Sequence, residues 1–159
     1  MSTLSISPAT PDDRPAILEV ARQAGVFNAE EIATVNELFE GYVRDAVQSG
    51  YNFLVCHREN TLAGFACWGP TALSRGGADL YWIGVTPSAQ RQGVGSALFR
   101  AVEAAARAAQ RRWLVIWTSS RPEYGAARAL YERHGCELKL QLEAFYDHGD
   151  DLCVYVKRL

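Results

Sequence analysis

The stretch TPSAQRQGVGSALFR, Thr86 to Arg100, constrains the fold of this chain more than any other. Upstream of it, ADLYWIGVTP reads as a strand stopped by Pro87. Downstream, Val94, Leu98, Ala101, Val102 and Ala105 recur at helical spacing, with Arg100, Glu103 and Arg107 on the other face. The joint between them, Gln90-Arg91-Gln92-Gly93-Val94-Gly95, puts two glycines where a helix begins. The amides around Gln92 to Ser96 are then the unpaired N–H groups of a first helical turn, carrying about half a unit of positive charge. Gly93 and Gly95 let a ligand approach the main chain, and Arg91 adds a fork of donors. A joint of this kind holds an anion, and a pyrophosphate fits it. Taken alone, it also reads as an ordinary strand-to-helix connection with surface charge.

The rest of the chain alternates strand and helix. Thr3–Ser7 is a short strand ended by Pro8, and helices are expected over Asp12–Ala24, opened by TPDDRP, and over Ala29–Gln48. YNFLVCHR and TLAGFACWGP read as two strands joined by a turn at Glu59-Asn60. After a loop at Leu73–Gly77 comes the fourth strand, and RWLVIW is a fifth whose nearly continuous apolar run predicts burial on both faces. A helix then ends at Gly135, and CELKLQLEAF and DLCVYVKRL form a last strand pair around YDHGDD. With no repeat, linker or low-complexity tract, residues 1–159 read as one domain: a mixed sheet covered by helices, an α/β or α+β layered fold.

Charge and cysteine content narrow the partners. A net charge of −2 argues against nucleic acid or an anionic membrane. No apolar run nears the ~20 residues that cross a bilayer, and residues 1–25 carry no leader pattern. Cys56, Cys67, Cys136 and Cys153 lack metal-ligand spacing and any CxxC pair, so they read as reduced core thiols of a cytoplasmic protein. Asp147, His148, Asp150 and Asp151 fit no standard metal site and are explained by a polar hairpin turn, so no metal is expected. Other phosphate cradles fit worse. Leu98 stands where a dinucleotide fingerprint wants its third glycine, and the chain has no Gly-Lys pair for a P-loop.

On these residues the chain resembles the GNAT superfamily of acyl-CoA-dependent N-acetyltransferases. The family's cofactor motif is Arg or Gln, two residues, Gly, one residue, Gly or Ala, which Gln90 to Gly95 meet after a strand ending IGVTP. ARALYERHGCE is similar to the family's A-x-x-L/F-Y-x-x-x-G-F through Ala127, Leu130, Tyr131 and Gly135. SSRPEYGAARALYERHG and FYDHGDD are further similar to bacterial members of unassigned substrate. The resemblance covers almost the whole chain. It implies a mixed, mostly antiparallel seven-stranded sheet flanked by about four helices, and direct acetyl transfer from acetyl-CoA, as acyl donor, to a primary amine.

The resemblance also distributes roles. Ile83, Gly84 and Val85 would meet the pantetheine arm, one amide polarising the thioester carbonyl as an oxyanion donor does. Arg91, Gln92, Gly93, Val94, Gly95 and Ser96 would hold the pyrophosphate. Tyr131 matches the general acid. A phenol near pKa ~10 is a weaker acid than a thiol near ~8.5, so full transfer is uphill by roughly 2 kcal/mol and the expected role is a hydrogen bond to the developing thiolate. Helical spacing alone would make Tyr131 a core residue. Asp79 is the candidate base, six residues before Val85, where histone-type members place a glutamate. Alternation puts it on the face of Tyr81, Ile83 and Val85 unless a bulge intervenes, and a solvated strand-end carboxylate is the other reading.

For the acceptor, the family uses the segment between the first two helices and the last hairpin loop, which here nominates Phe27, Glu31, Tyr146, Asp147 and His148. Glu30, Glu31, Glu37 and Glu40 give the first segment an acidic cast that suits a cationic amine. Three positions depart from the family. Trp117 stands where N-terminal acetylases often carry a glutamate, Tyr124 where many members have an asparagine, and Cys136 where an aromatic is usual. Ser119, Ser120 or Arg121 is expected to replace the missing asparagine contact, and His57 and His134 read as surface residues at element ends. The expected acceptor is a small primary amine or amino-acid-like molecule. A protein or peptide amine, and a non-catalytic acyl-CoA-binding sensor, are the alternatives; a homodimer is common in such folds.

Overall fold

Local signals place the elements. Glu59 and Asn60 both take positive φ, 49° and 66°, the tight turn that matches the twist of a two-stranded ribbon. It joins β2 (Asn52–Arg58) to β3 (Thr61–Pro70), while β1 (Leu4–Pro8) pairs antiparallel with β2. The helix expected from Asp12 begins with a single 3₁₀ turn, Pro11–Asp13, and continues as α1 (Arg14–Gln23). α2 (Ala29–Ser49) opens on a capping box: Asn28 accepts from the Glu31 amide at 2.8 Å and the Glu31 carboxylate accepts from the Asn28 amide at 2.7 Å. The helix breaks at Asp45 (φ −164°, ψ 100°), whose carboxylate re-caps the last turn through the Val47 and Gln48 amides. The computed structural model describes residues 2–159, and none of its helices is long and apolar enough to cross a membrane.

One seven-stranded sheet results, in the order β1-β2-β3-β4-β5-β7-β6, with β4 (Gly77–Val85), β5 (Trp113–Ser119), β6 (Glu137–Asp147) and β7 (Asp150–Arg158). Every pair is antiparallel except β4 with β5. α3 (Val94–Ala108) and α4 (Gly125–Arg133) lie on one face, over a core that includes Ala66, Leu80, Leu114, Ile116 and Tyr155. α4 closes with Gly135 at φ 83°, the Cys136 amide reaching back to the Tyr131 carbonyl at 2.9 Å, as the sequence led one to expect. α1 and α2 lie on the opposite face, over Phe53, Val55, Phe65 and Cys67. All four cysteines are buried and free.

That second layer covers β2 to β4 and stops there. The expectation that β5 is buried on both faces is therefore corrected: Leu114 and Ile116 are buried, but Trp117 on the uncovered face is 57% exposed. An apolar run cannot reveal whether a helix exists to cover it.

The β4–β5 ladder has three rungs, Gly77 with Trp113, Ala78 with Leu114 and Asp79 with Val115, and beyond them the strands part. Just past the last rung β4 carries a bulge. Trp68 of β3 faces Leu80 and Cys67 faces Trp82, so Tyr81 has no partner. This extra residue corrects the expected placement of Asp79. Ala78, Leu80, Ile83 and Val85 pack toward α3, whereas Asp79 and Tyr81 turn to the α1/α2 side.

Tight packing near the closed end of the split supplies a stability test. A Cβ added to Gly69, opposite Asp79, would overlap the main-chain oxygen of Gly50, where α2 ends. Gly69→Ala is expected to destabilise the protein by roughly 3 kcal/mol in urea unfolding, because main chain rather than a flexible side chain must move.

Candidate cofactor and acceptor site

Where β4 and β5 part, a cavity of about 1600 Å³ opens. At one end it meets the start of α3. Arg91 (φ 60°) and Gly93 (φ 82°) both hold left-handed conformations, and Gly93 as N-cap offers no side chain to the first turn. The Ala97 amide is the first to bond within the helix, to the Gly93 carbonyl at 2.9 Å, so the amides of Val94, Gly95 and Ser96 precede any helical bond. Arg91, Gly93, Gly95 and Ser96 line the cavity. Gln92 and Val94 do not: the Gln92 amide nitrogen donates to the Ser88 carbonyl at 2.7 Å, and Val94 is buried in the core. These two offer main chain only. A Cβ at Gly95 would stand 3.4 Å from the end of Leu130, ordinary contact, so packing does not require glycine there.

His134 belongs to this end rather than to the open surface expected for it. Its ring stacks on Phe99 at 4.7 Å between centroids and its Nε2 is 3.0 Å from Ser96 Oγ. Burial lowers its pKa, which favours neutral imidazole.

The middle of the cavity is lined by Ile83, Gly84, Val85 and Tyr131. The Thr86 amide donates to Ala63 of β3 at 2.9 Å. Main-chain groups alternate in direction along a strand, so those of Val85 and Ile83 turn away from β3, into the split, where no strand answers them. Gly84 is glycine for another reason: a Cβ there would press on the Phe65 ring. Tyr131 is 4% exposed, packed between Phe99 and Tyr155 at 6.1 and 5.9 Å. Burial pushes its phenol well above the usual range and no hydrogen bond holds its hydroxyl among the described residues. It is both a core residue and a neutral proton donor at the cavity wall.

The other end is built from segments far apart in sequence. Phe27 stands edge-on to Trp82 at 5.4 Å, and Trp117, Phe145 and Tyr146 form an edge-on series at 6.1 and 5.2 Å. Phe27, Glu31, Tyr146, Asp147 and His148 all line the cavity, as do Tyr124, Arg121 and Asp150, which the sequence did not nominate for the acceptor. The Tyr124 hydroxyl lies 3.2 Å from Glu31 Oε1 and 3.3 Å from the Val26 carbonyl. Burial and the Glu31 charge push its phenol up to about 12, with Arg121 pulling the other way. Asp150 is buried, accepts from the Ser119 hydroxyl and pairs with Arg121 Nε at 3.3 Å. The sequence singled out Tyr124, Arg121 and Asp150 for other reasons, and gave no sign that they meet.

Asp79 lies outside the lining. Half-buried at the closed end of the split, it has its carboxyl pKa raised by burial, against the hydroxyls of Thr71 and Tyr81. Tyr81, pushed up to about 12 by burial and by the Asp79 charge, lines the cavity beside it. Among the described residues no group of three or more His, Cys, Asp or Glu could hold a metal ion.

A sheet split at its one parallel pair, uncapped amides at the mouth and a neutral phenol in the wall define the architecture of an acyl-CoA-dependent acetyltransferase. Comparison with known proteins agrees. A family profile described as "Acetyltransferase (GNAT) domain" matches residues 49–137. A GNAT-family protein from Desulfovibrio desulfuricans has a solved structure that is 33% identical, with TM-score 0.93, covering 98% of this chain and 99% of its own. The ribosomal-protein-S18-alanine N-acetyltransferase of Escherichia coli, 22% identical over 98% of this chain and 94% of its own, shares the fold at TM-score 0.78. So does a Salmonella typhimurium protein solved with its cofactor acetyl-CoA, 19% identical over 98% and 94% of the two chains, at TM-score 0.78. No curated protein sequence matches. The chain belongs to the GNAT acetyltransferase family.

Proposed function

We propose that the protein transfers the acetyl group of acetyl-CoA to the primary amine of a small molecule. One observation carries the acceptor reading. Glu30, Glu31, Glu123, Asp147 and Asp150 line the cavity and outnumber its arginines: Arg91 at the start of α3, Arg133 at the end of α4, and Arg121, which already faces Asp150. Such a lining attracts an ammonium group. Bound acetyl-CoA supplies an activated thioester. The uncapped amides of Val94 to Ser96 and the Arg91 guanidinium hold its diphosphate, and the free main-chain groups of Ile83 and Val85 orient its arm. Glu31, fixed by the Asn28 amide and Tyr124, receives the amine. Asp79, made more basic by burial but outside the lining, receives by way of the Tyr81 hydroxyl beside it the proton that an ammonium must lose before it attacks. Tyr131 holds its phenolic proton toward the departing sulfur.

Thiol release from acetyl-CoA across a panel of amines, amino acids and short peptides tests this reading, with turnover expected for small cationic amines. Binding of acetyl-CoA with no release for any acceptor would leave a sensor instead, and release with peptides alone would move the acceptor to proteins. Glu31→Gln is expected to raise the acceptor KM about tenfold with little change in kcat, the loss of one charge-assisted contact. Asp79→Asn is expected to lower kcat about 10²-fold at neutral pH while acetyl-CoA affinity holds. An unchanged rate would remove Asp79 from the mechanism.

A further inference from the structure

The acceptor end holds a second recognition group. Arg121 follows β5, and two contacts hold its guanidinium while a third holds its main chain. Its Nε stands 3.3 Å from the Asp150 carboxylate, its carbon lies 5.6 Å from the centroid of the Tyr124 ring, and the Ser119 hydroxyl ties its own amide at 3.0 Å. Asp150 is in turn held by the Ser119 hydroxyl. The ion pair is out of line for a hydrogen bond, so the buried Nε has no hydrogen-bond partner among the described residues. Arg121 lines the cavity, with its side chain 41% exposed. A planar guanidinium held in this way, with the Tyr124 hydroxyl the one side-chain acceptor beside it other than Asp150 among the described residues, is suited to a carboxylate, which it binds through two parallel hydrogen bonds.

Its neighbours set which end of the cavity it serves. Tyr124 joins it to Glu31, with the hydroxyl 3.2 Å from that carboxylate and the ring beneath the guanidinium. The same hydroxyl reaches Val26, before α2, on the acceptor side. Arg91, the cation of the diphosphate end, stands at the start of α3. One residue therefore links a receptor for ammonium to a receptor for carboxylate.

We infer that the acceptor is an amino acid, its amine received by Glu31 and its carboxylate by the Arg121 fork, with Asp150 and Tyr124 as positioning residues for that fork. The inference rests on the N-acetyltransferase reading above and narrows it to one substrate class. It also gives Asp150 a purpose: a buried carboxylate beside Nε fixes the plane of the guanidinium and leaves the outer pair of amino groups to the substrate.

The test compares matched acceptors in the thiol-release assay, each amino acid against the amine it becomes without its carboxylate: L-lysine with cadaverine, L-tyrosine with tyramine. The amino acid of at least one pair is expected to have a kcat/KM at least tenfold above its amine, because a charged fork left unpaired is costly. Arg121→Gln is expected to raise the KM of that amino acid at least tenfold, leave the amine's KM unchanged and leave acetyl-CoA affinity unchanged. Arg121→Lys, a point charge without a fork, is expected to recover only part of the preference. Turnover with amines equal or preferred would overturn this inference and leave the acetyltransferase reading intact. A loss of acetyl-CoA affinity in Arg121→Gln with acceptor KM unmoved would assign Arg121 to the cofactor instead. No release with any acceptor would sink both readings.

Discussion

Replacing Tyr131 by phenylalanine is expected to lower kcat about 10²-fold while leaving the Kd of acetyl-CoA within a factor of two or so of the original. The argument starts from packing. The ring is buried between Phe99 and Tyr155, and phenylalanine fills that space. The hydroxyl has no protein partner among the described residues, so its removal strands no buried group and stability should change by less than about 1 kcal/mol. What disappears is the proton that Tyr131 is proposed to offer the leaving sulfur. The sign of the pH dependence follows from the same burial. Burial disfavours phenolate and raises the pKa, so Tyr131 stays protonated and active throughout the accessible alkaline range. The profile of kcat in the intact protein should therefore show no alkaline fall that Tyr131→Phe abolishes. Stopped-flow or steady-state thiol release from pH 6 to 10 checks both points, and an unchanged kcat would return Tyr131 to a packing role alone.

Gly95→Asp separates the helix from its ligand even more sharply. The residue sits two places after the Gly93 N-cap, where an acidic side chain favours the helix dipole and replaces a glycine that weakens a helix. Its Cβ meets nothing closer than 3.4 Å. The folded protein should thus be as stable as before or more so. Coenzyme A binding should fall at least 100-fold, since a carboxylate would stand beside the amides proposed to hold the diphosphate. Calorimetric titration and thermal unfolding on the same sample read the two effects separately. If Gly95 served packing alone, stability would fall and affinity would persist.

The opening of α3, where the cofactor is proposed to bind, could be read from the sequence because it is contiguous: turn proline, arginine, two glycines and the start of a helix occupy one short segment. The hairpin at Glu59-Asn60, the Asn28 capping box and the end of α4 were legible for the same reason, each being set by residues a few places apart. The acceptor end was legible only in part. Its regions were nominated, but the contact of Tyr124 with Glu31 spans 93 residues and that of Ser119 with Asp150 spans 31. No local pattern encodes such meetings. The exposure of Trp117 was misread because covering is decided by α1 and α2, and not by the strand. The face of Asp79 depended on whether a bulge interrupts the strand, and that bulge exists only in the register between β3 and β4. His134, at the end of a helix, gave no hint that Ser96 and Phe99 would enclose it.

That bulge explains why there is a cleft at all. An unmatched residue bends its strand and adds local twist, and Tyr81 sits immediately beyond the last β4–β5 rung. A chain shortened by this one residue would restore even pairing with β3 and leave Leu80 and Trp82 on their present faces. It would also relax the bend, letting the parallel ladder zip onward past Val115 and closing the space where coenzyme and acceptor are to meet. Strand length, counted in single residues, thus governs whether this sheet has an interior to work in, which makes β4 far less tolerant of a deletion than of a substitution.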